Sequence, residues 1–116
     1  YGNDYDTKDG TGVRDYIHVN DLAAAHVRAM DHLVEQDQDV VVNLDTGEGH
    51  SVLDVIYKAE EVSMRKINYR VVGRREGDPD TVLAGSKKAF DILKWEPQHS
   101  DLETLIQSTW QVYKHE

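Results

Sequence analysis

Val40-Val-Val-Asn-Leu44 is the stretch whose reading decides the fold. It is a nearly unbroken run of β-branched and apolar residues, the pattern of a strand covered on both faces in a parallel sheet. Such a strand needs neighbours at its edges and helices over both faces, and the sequence around it offers few of either. We therefore expect it to join a larger parallel sheet built by residues that would precede Tyr1.

Working outward from this run, residues 1–12 are rich in Gly, Asp and Thr and read as a loop. Val13–Val19 alternates enough for a short strand, and Asn20 or Asp21 is placed to cap a helix reaching about Leu33. Leu22, Ala25, Ala29 and Leu33 line one face of that helix at helical spacing. On the other side, Asp45-Thr-Gly-Glu-Gly-His50 turns the chain, and Ser51-Val-Leu-Asp54 is a capping box for a helix to about Arg65. Ile67–Val72 reads as another strand and Gly73–Asp80 as a loop. Ser86 opens a short helix that ends near Trp95, where Pro97 stops it, and Ser100-Asp-Leu-Glu103 is a second capping box. Trp95 and Trp110 fall beside Leu93 and Ile106 and read as core packing or a subunit contact. The expected order is β, α, β, α, β, α, α, with mixed short strands and about four helices, which is an α/β or α+β arrangement without repeats or a flexible linker.

Charge and cysteine content narrow the function. Twenty-two acids against 13 bases give a formal charge of −9. A phosphate backbone or an anionic membrane surface would meet a repulsive mean field, so nucleic acid and membrane partners are not expected. No cysteine is present, which removes disulfides, thiolate catalysis and Cys-ligated zinc. No apolar stretch approaches the ~18 residues of a membrane span, and no charged-then-apolar leader opens the chain, so a cytoplasmic protein is expected. The six histidines form no pair on one helix face with a carboxylate helper, and no metal is assigned.

An anionic ligand on such a chain must be held by a local basic island, which Arg14, Arg70, Arg74 and Arg75 could form. Arg14 follows Gly10-Thr-Gly-Val and reads either as a diphosphate clamp at a strand end or as a surface arginine paired with Asp15 or a neighbouring acid. Arg74-Arg75-Glu-Gly-Asp78 places two guanidiniums side by side, of which only one can face a ligand in extended chain. A guanidinium fork can bind two phosphate oxygens at once. Gly77 allows close backbone approach, and Asp78 could accept from a sugar diol. The same run also reads as a solvated loop of mixed charge. Gly47-Glu-Gly49 lacks the third glycine of a dinucleotide fingerprint and the lysine of a phosphate loop, and reads as a tight turn into a helix. No Tyr-x-x-x-Lys, Ser-His-Asp set or nucleophile elbow is visible, and no catalytic residue is assigned.

Together, Asp9-Gly-Thr-Gly-Val-Arg-Asp-Tyr-Ile-His-Val19 and Arg74-Arg-Glu-Gly-Asp78 resemble the UDP-glucose 4-epimerase (UDP-galactose 4-epimerase) family of extended short-chain dehydrogenases/reductases. Tyr1-Gly-Asn-Asp-Tyr5, Val42-Asn-Leu44, Ser51-Val-Leu-Asp54, Ser86-Lys-Lys-Ala89 and Leu93-Lys-Trp95 extend the resemblance over essentially all of residues 1–116, to the carboxy-terminal portion of those enzymes. The resemblance implies a two-domain parent enzyme. An amino-terminal Rossmann domain holds NAD and the Tyr-x-x-x-Lys pair, and the carboxy-terminal substrate-binding portion grips a UDP-sugar. NAD takes a hydride from C4 of the hexose and returns it to the other face, interconverting UDP-glucose and UDP-galactose. Arg14 and Arg75 match the diphosphate-binding arginines, Asp78 the ribose-binding acid and Tyr1 the aromatic residue beside uracil. Val82 stands where some members carry a tyrosine and others a small residue that leaves room for N-acetylated sugars. The resemblance further implies a homodimeric parent, with residues of about 13–50 packed on the NAD-binding domain.

A dehydratase or decarboxylase acting on nucleotide sugars is the neighbouring alternative, although its second loop typically carries His after the glycine where Asp78 follows Gly77 here. A stand-alone binding or assembly module is an alternative of another class, and the start at Tyr1 without Met speaks against it. The chain by itself is expected to be catalytically inactive, unable to hold NAD, and prone to self-association through apolar surface.

Overall fold

Three two-residue strands alternate with four helices along residues 1–115, which a computed structural model describes. In chain order these are β1 (Val13–Arg14), α1 (Val19–Gln36), β2 (His50–Ser51), α2 (Val52–Ser63), β3 (Thr81–Val82), α3 (Lys87–Leu93) and α4 (Leu102–Tyr113). The mixed α/β order expected from sequence holds, but two of the three strands lie elsewhere. The sheet order is β2-β1-β3, with β2 antiparallel to β1 and β3 parallel to it. Val13 faces Ser51 on one side and Thr81 on the other, so the strand bearing Arg14 is central.

Val40–Leu44 is not a strand, because no neighbouring chain completes a ladder with it. It is covered on one face rather than two. Val40, Val42 and Leu44 pack against a cluster of Ala25, Ala89, Leu93 and Trp95, whereas Val41 is 82% exposed. Ile67–Val72 is likewise without strand pairing, and Tyr69 and Val71 are exposed. A single backbone bond ties its end, from Gly2 N–H to Val72 O at 2.7 Å. The strand expected over 13–19 closes after Arg14, and the Asp15 carboxylate instead accepts from Thr46 N–H (3.1 Å) and Thr46 Oγ1 (2.9 Å).

Helix ends follow side-chain chemistry, with two corrections. In α1 the cap is His18, not Asn20 or Asp21, since Asn20 N–H donates to His18 Nδ1 at 3.0 Å. Asp21 is 2% exposed and turned inward, accepting from Gln98 N–H (3.0 Å), His99 N–H (2.9 Å) and Ser100 Oγ (2.5 Å). That commitment removes Ser100 from the cap of α4. Asp101 takes its place by accepting from Thr104 N–H at 2.9 Å. The capping box of α2 forms as expected, with Asp54 N–H on Ser51 Oγ and Ser51 N–H on Asp54 Oδ2, both at 3.0 Å. Met64 and Lys94 close α2 and α3 in the left-handed region, earlier than the Arg65 and Trp95 ends read from sequence.

The core centres on Trp95, whose Nε1–H donates to Asp21 O at 2.9 Å, so one residue fastens α1 to the segment between α3 and α4. Trp110 is half-buried and lies 5.1 Å beneath the Arg65 guanidinium. The molecule measures 50 × 37 × 19 Å and exposes 8303 Å². A self-contained monomer of this mass exposes about 6,400 Å². Val27, Met30 and Val34 on α1 contribute to the excess. Among the described residues, no helix is long and apolar enough to cross a membrane.

Candidate functional site

β1 and β3 run parallel, so the loop leading into β3 is carried back beside Arg14. Gly77, at φ 75°, turns this loop, a conformation that side chains with a Cβ adopt only with strain. The turn delivers the Asp78 carboxylate to Arg14, with Nη2 donating to Oδ1 at 2.6 Å. Arg14 is locked by further donations to Val13 O (2.8 Å) and Pro79 O (3.0 Å). Arg75 reaches the same carboxylate from three residues away, with Nη2 3.3 Å from Oδ2. Its guanidinium also lies 4.8 Å from the centre of the Tyr1 ring, which is exposed.

Tyr1, Arg14, Arg75 and Asp78 are thus brought into one cluster. Val82 sits beside it in β3, in register with Arg14 and half-exposed. Arg14 pairs with an acid, as the plainer sequence reading had it, but with Asp78 rather than Asp15. Arg74 faces away from this carboxylate. It donates from Nε to Asp4 Oδ1 at 2.8 Å and from Nη2 to Asp4 O, and stacks 4.1 Å above the ring of Tyr5. Only one of the two adjacent arginines therefore serves the cluster. Arg70 joins none of these pairs and instead lines a groove of about 330 Å³ with Tyr1, Tyr69 and Ile56.

Partial desolvation would raise the Asp78 carboxyl, but hydrogen bonds from Tyr5, Arg14 and Arg75 outweigh it and hold the group below the usual carboxylate range. Tyr5 is the residue of this cluster that the sequence did not single out. Its hydroxyl donates to Asp78 Oδ2 at 3.1 Å, and desolvation followed by that contact raises its own pKa. No local pattern marked it, for Tyr5 stands in a Gly/Asp-rich turn and its need of a hydroxyl partner follows only from its burial.

The Gly47-Glu-Gly49 turn does not fit a dinucleotide diphosphate. The first N–H groups of α2 already donate within the chain: Val52 to Gly12 O (3.1 Å), Leu53 to Thr11 Oγ1 (3.3 Å) and Asp54 to Ser51 Oγ (3.0 Å). Gly49 serves close packing instead, for a Cβ there would lie 2.6 Å from Val13 Cγ1. What the cluster can do is grip a ligand that carries both an anion and a diol, with guanidiniums for the first and a pre-ionised carboxylate for the second.

Residues 5–45 match the model of the NAD dependent epimerase/dehydratase family. Over its length the chain is similar to UDP-glucose 4-epimerases. The enzyme of Rhizobium leguminosarum bv. trifolii is 50% identical over 110 residues, covering 95% of this chain and 33% of its own length. The crystal structure of UDP-glucose 4-epimerase from Stenotrophomonas maltophila, with bound NAD and formylated UDP-arabinopyranose, superposes with a TM-score of 0.93 at 43% identity, over 99% of this chain and 34% of that one. The Bifidobacterium longum enzyme, in complex with NAD+ and UDP, gives a TM-score of 0.86 at 42% identity, over 99% and 34% of the two chains. The chain spans about a third of the length of the curated relatives it matches.

Proposed function

We propose that this chain supplies the nucleotide-gripping side of an NAD-dependent UDP-hexose 4-epimerase that interconverts UDP-glucose and UDP-galactose. The observation that carries the reading is the Asp78 carboxylate held between Arg14 and Arg75 beside the Tyr1 ring. In this reading Arg14 and Arg75 bind the diphosphate, Asp78 the ribose hydroxyls and Tyr1 the face of uracil, with Val82 bordering the sugar. The four residues grip the nucleotide and leave the hexose loosely held, as an enzyme that must present both faces of C4 requires.

NAD belongs, on this proposal, to a separate dinucleotide-binding domain of the kind the resemblance implies, and none of the chemistry assigned to these residues runs through it. Residues 13–50 are the part we assign to the contact with that domain. The surface excess of about 1,900 Å² over a self-contained monomer is larger than the ~600–1,500 Å² of an ordinary contact between domains and leaves ample area for one. The exposed side chains of Val27, Met30, Val34 and Val41 make much of that stretch apolar.

Isothermal titration of UDP into the chain tests the site. We expect UDP to bind and Arg75→Ala to weaken it tenfold or more, because one charge-assisted contact is worth roughly 1.5–3 kcal/mol. Unchanged affinity would remove Arg75 from the site, and no measurable binding of UDP to the parent chain would overturn the reading.

A further inference from the structure

We propose that Tyr5 is a positioning residue that holds the Asp78 carboxylate in place, so that Arg75 is the donor that leaves it when a ribose diol arrives. This rests on the UDP reading above and adds to it an exchange of partners at one carboxylate.

A carboxylate offers about four lone-pair positions, two on each oxygen. Arg14 occupies one on Oδ1, at 2.6 Å. Tyr5 and Arg75 fill both on Oδ2, at 3.1 and 3.3 Å. A cis-diol that addresses both oxygens finds room on Oδ1 and none on Oδ2, so one of the two donors there must withdraw.

Tyr5 is the wrong group to move. It is 4% exposed, and its ring is pressed between Arg74 and Gly2. A Cβ on Gly2 would lie 2.7 Å from Tyr5 Cε2, so a bare glycine is needed for the ring to sit there. Arg74 is anchored in turn by Asp4, and its Nη1 stands 3.9 Å from Asp80 Oδ1. The Arg75 side chain, by contrast, is 62% exposed and rests on an exposed ring. When Arg75 swings away, Asp78 keeps Arg14 and Tyr5 and stays ionised, and the freed guanidinium is available to the diphosphate of the same ligand. One arginine is therefore fixed and one mobile, with the tyrosine deciding which.

Tyr5→Phe tests this, since it keeps the ring, its contact with Gly2 and its stack under Arg74 while deleting the donor. Two measurements are made on the parent chain and the variant: the titration of the Asp78 carboxyl carbon by NMR without ligand, and the pH profile of UDP and 2′-deoxy-UDP binding. The groups facing Asp78 are Arg14 from β1 and Arg75 and Tyr5 from the flanking loops, with Arg74 and Asp80 behind them. Losing the tyrosine donor should move the Asp78 titration upward and shift the acid limb of UDP binding with it. UDP affinity should fall about tenfold, a fold-change set by one hydrogen bond to a charged group, and the preference for UDP over the deoxy form should shrink. An unmoved carboxyl titration, or an unmoved UDP affinity and acid limb, overturns the proposal while leaving the UDP site intact. Failure of the parent chain to bind UDP defeats the site and the exchange together, and the ligand-free titration then reports separately on whether Tyr5 holds Asp78.

Discussion

Asp21→Ala should lower the melting temperature by on the order of 10 °C or more, the largest stability effect expected of a single substitution in this chain. Asp21 lies on α1, yet its carboxylate serves the segment between α3 and α4. It accepts from the backbone N–H groups of Gln98 and His99 and from the Ser100 hydroxyl, while its own carbonyl accepts from Trp95. Truncation leaves three donors without their acceptor, and each buried unmet donor costs about 1–3 kcal/mol. The variant should also change how stability depends on pH. Burial would raise the Asp21 carboxyl, but the bonds from Ser100, Gln98 and His99 outweigh it, and the folded group titrates below its ordinary value. Its contribution is complete above about pH 4, where the unfolded carboxyl is ionised, and is lost as pH falls through the lower folded value. Thermal unfolding followed by circular dichroism across pH 2–7 should show a shallower acid-side decline in the variant. A melting temperature within a degree or two of the parent would mean that water replaces the carboxylate at no cost.

The largest effect on binding is expected at Arg14. Arg14→Ala should weaken UDP by roughly 100-fold, close to the upper end for a charge-assisted contact, because the change acts twice. It removes a guanidinium from the proposed diphosphate contact, and it withdraws the 2.6 Å partner of Asp78. It also frees the Pro79 carbonyl, loosening the loop that Gly77 turns. Arg14→Lys separates charge from shape. A lysine restores a positive point charge but not the fork, so UDP affinity should recover only part of the loss. Titration calorimetry of both variants decides the matter. Full recovery with lysine would reduce Arg14 to a source of charge, and full affinity in the alanine variant would take the diphosphate elsewhere.

How much of this was legible in the sequence depended on whether the signal was local. The four helices were, because apolar spacing and the Ser51–Asp54 box depend on residues within a turn of one another. The cap of α4 was misread for a long-range reason: Ser100 has the right chemistry, but Asp21, seventy-nine residues away, claims its hydroxyl. The strands were misplaced for another. Val40–Leu44 and Ile67–Val72 have strand composition, but composition supplies no hydrogen-bonding neighbour. The pairs that do form, at His50–Ser51 and Thr81–Val82, are too short to leave a period-two pattern. At the site, Tyr1, Arg14, Arg75 and Asp78 were all named from the sequence and its resemblance, and the structure gathers them. Tyr5 was not, because its role exists only through the carboxylate of a residue 73 positions later.

The sheet that supports the site consists of three two-residue strands, and it joins residue 13 to residues 51 and 81. Closing segments of that length costs chain entropy before any contact offsets it, and contacts distant in sequence form slowly. Helices held by their own caps can form first, whereas the Arg14–Asp78 pair must wait for the sheet to register. On the proposed reading, competence to hold a nucleotide is therefore expected only at the end of folding. A nucleotide that arrives early would find half a grip, and one that arrives late would fasten the last joint of the molecule.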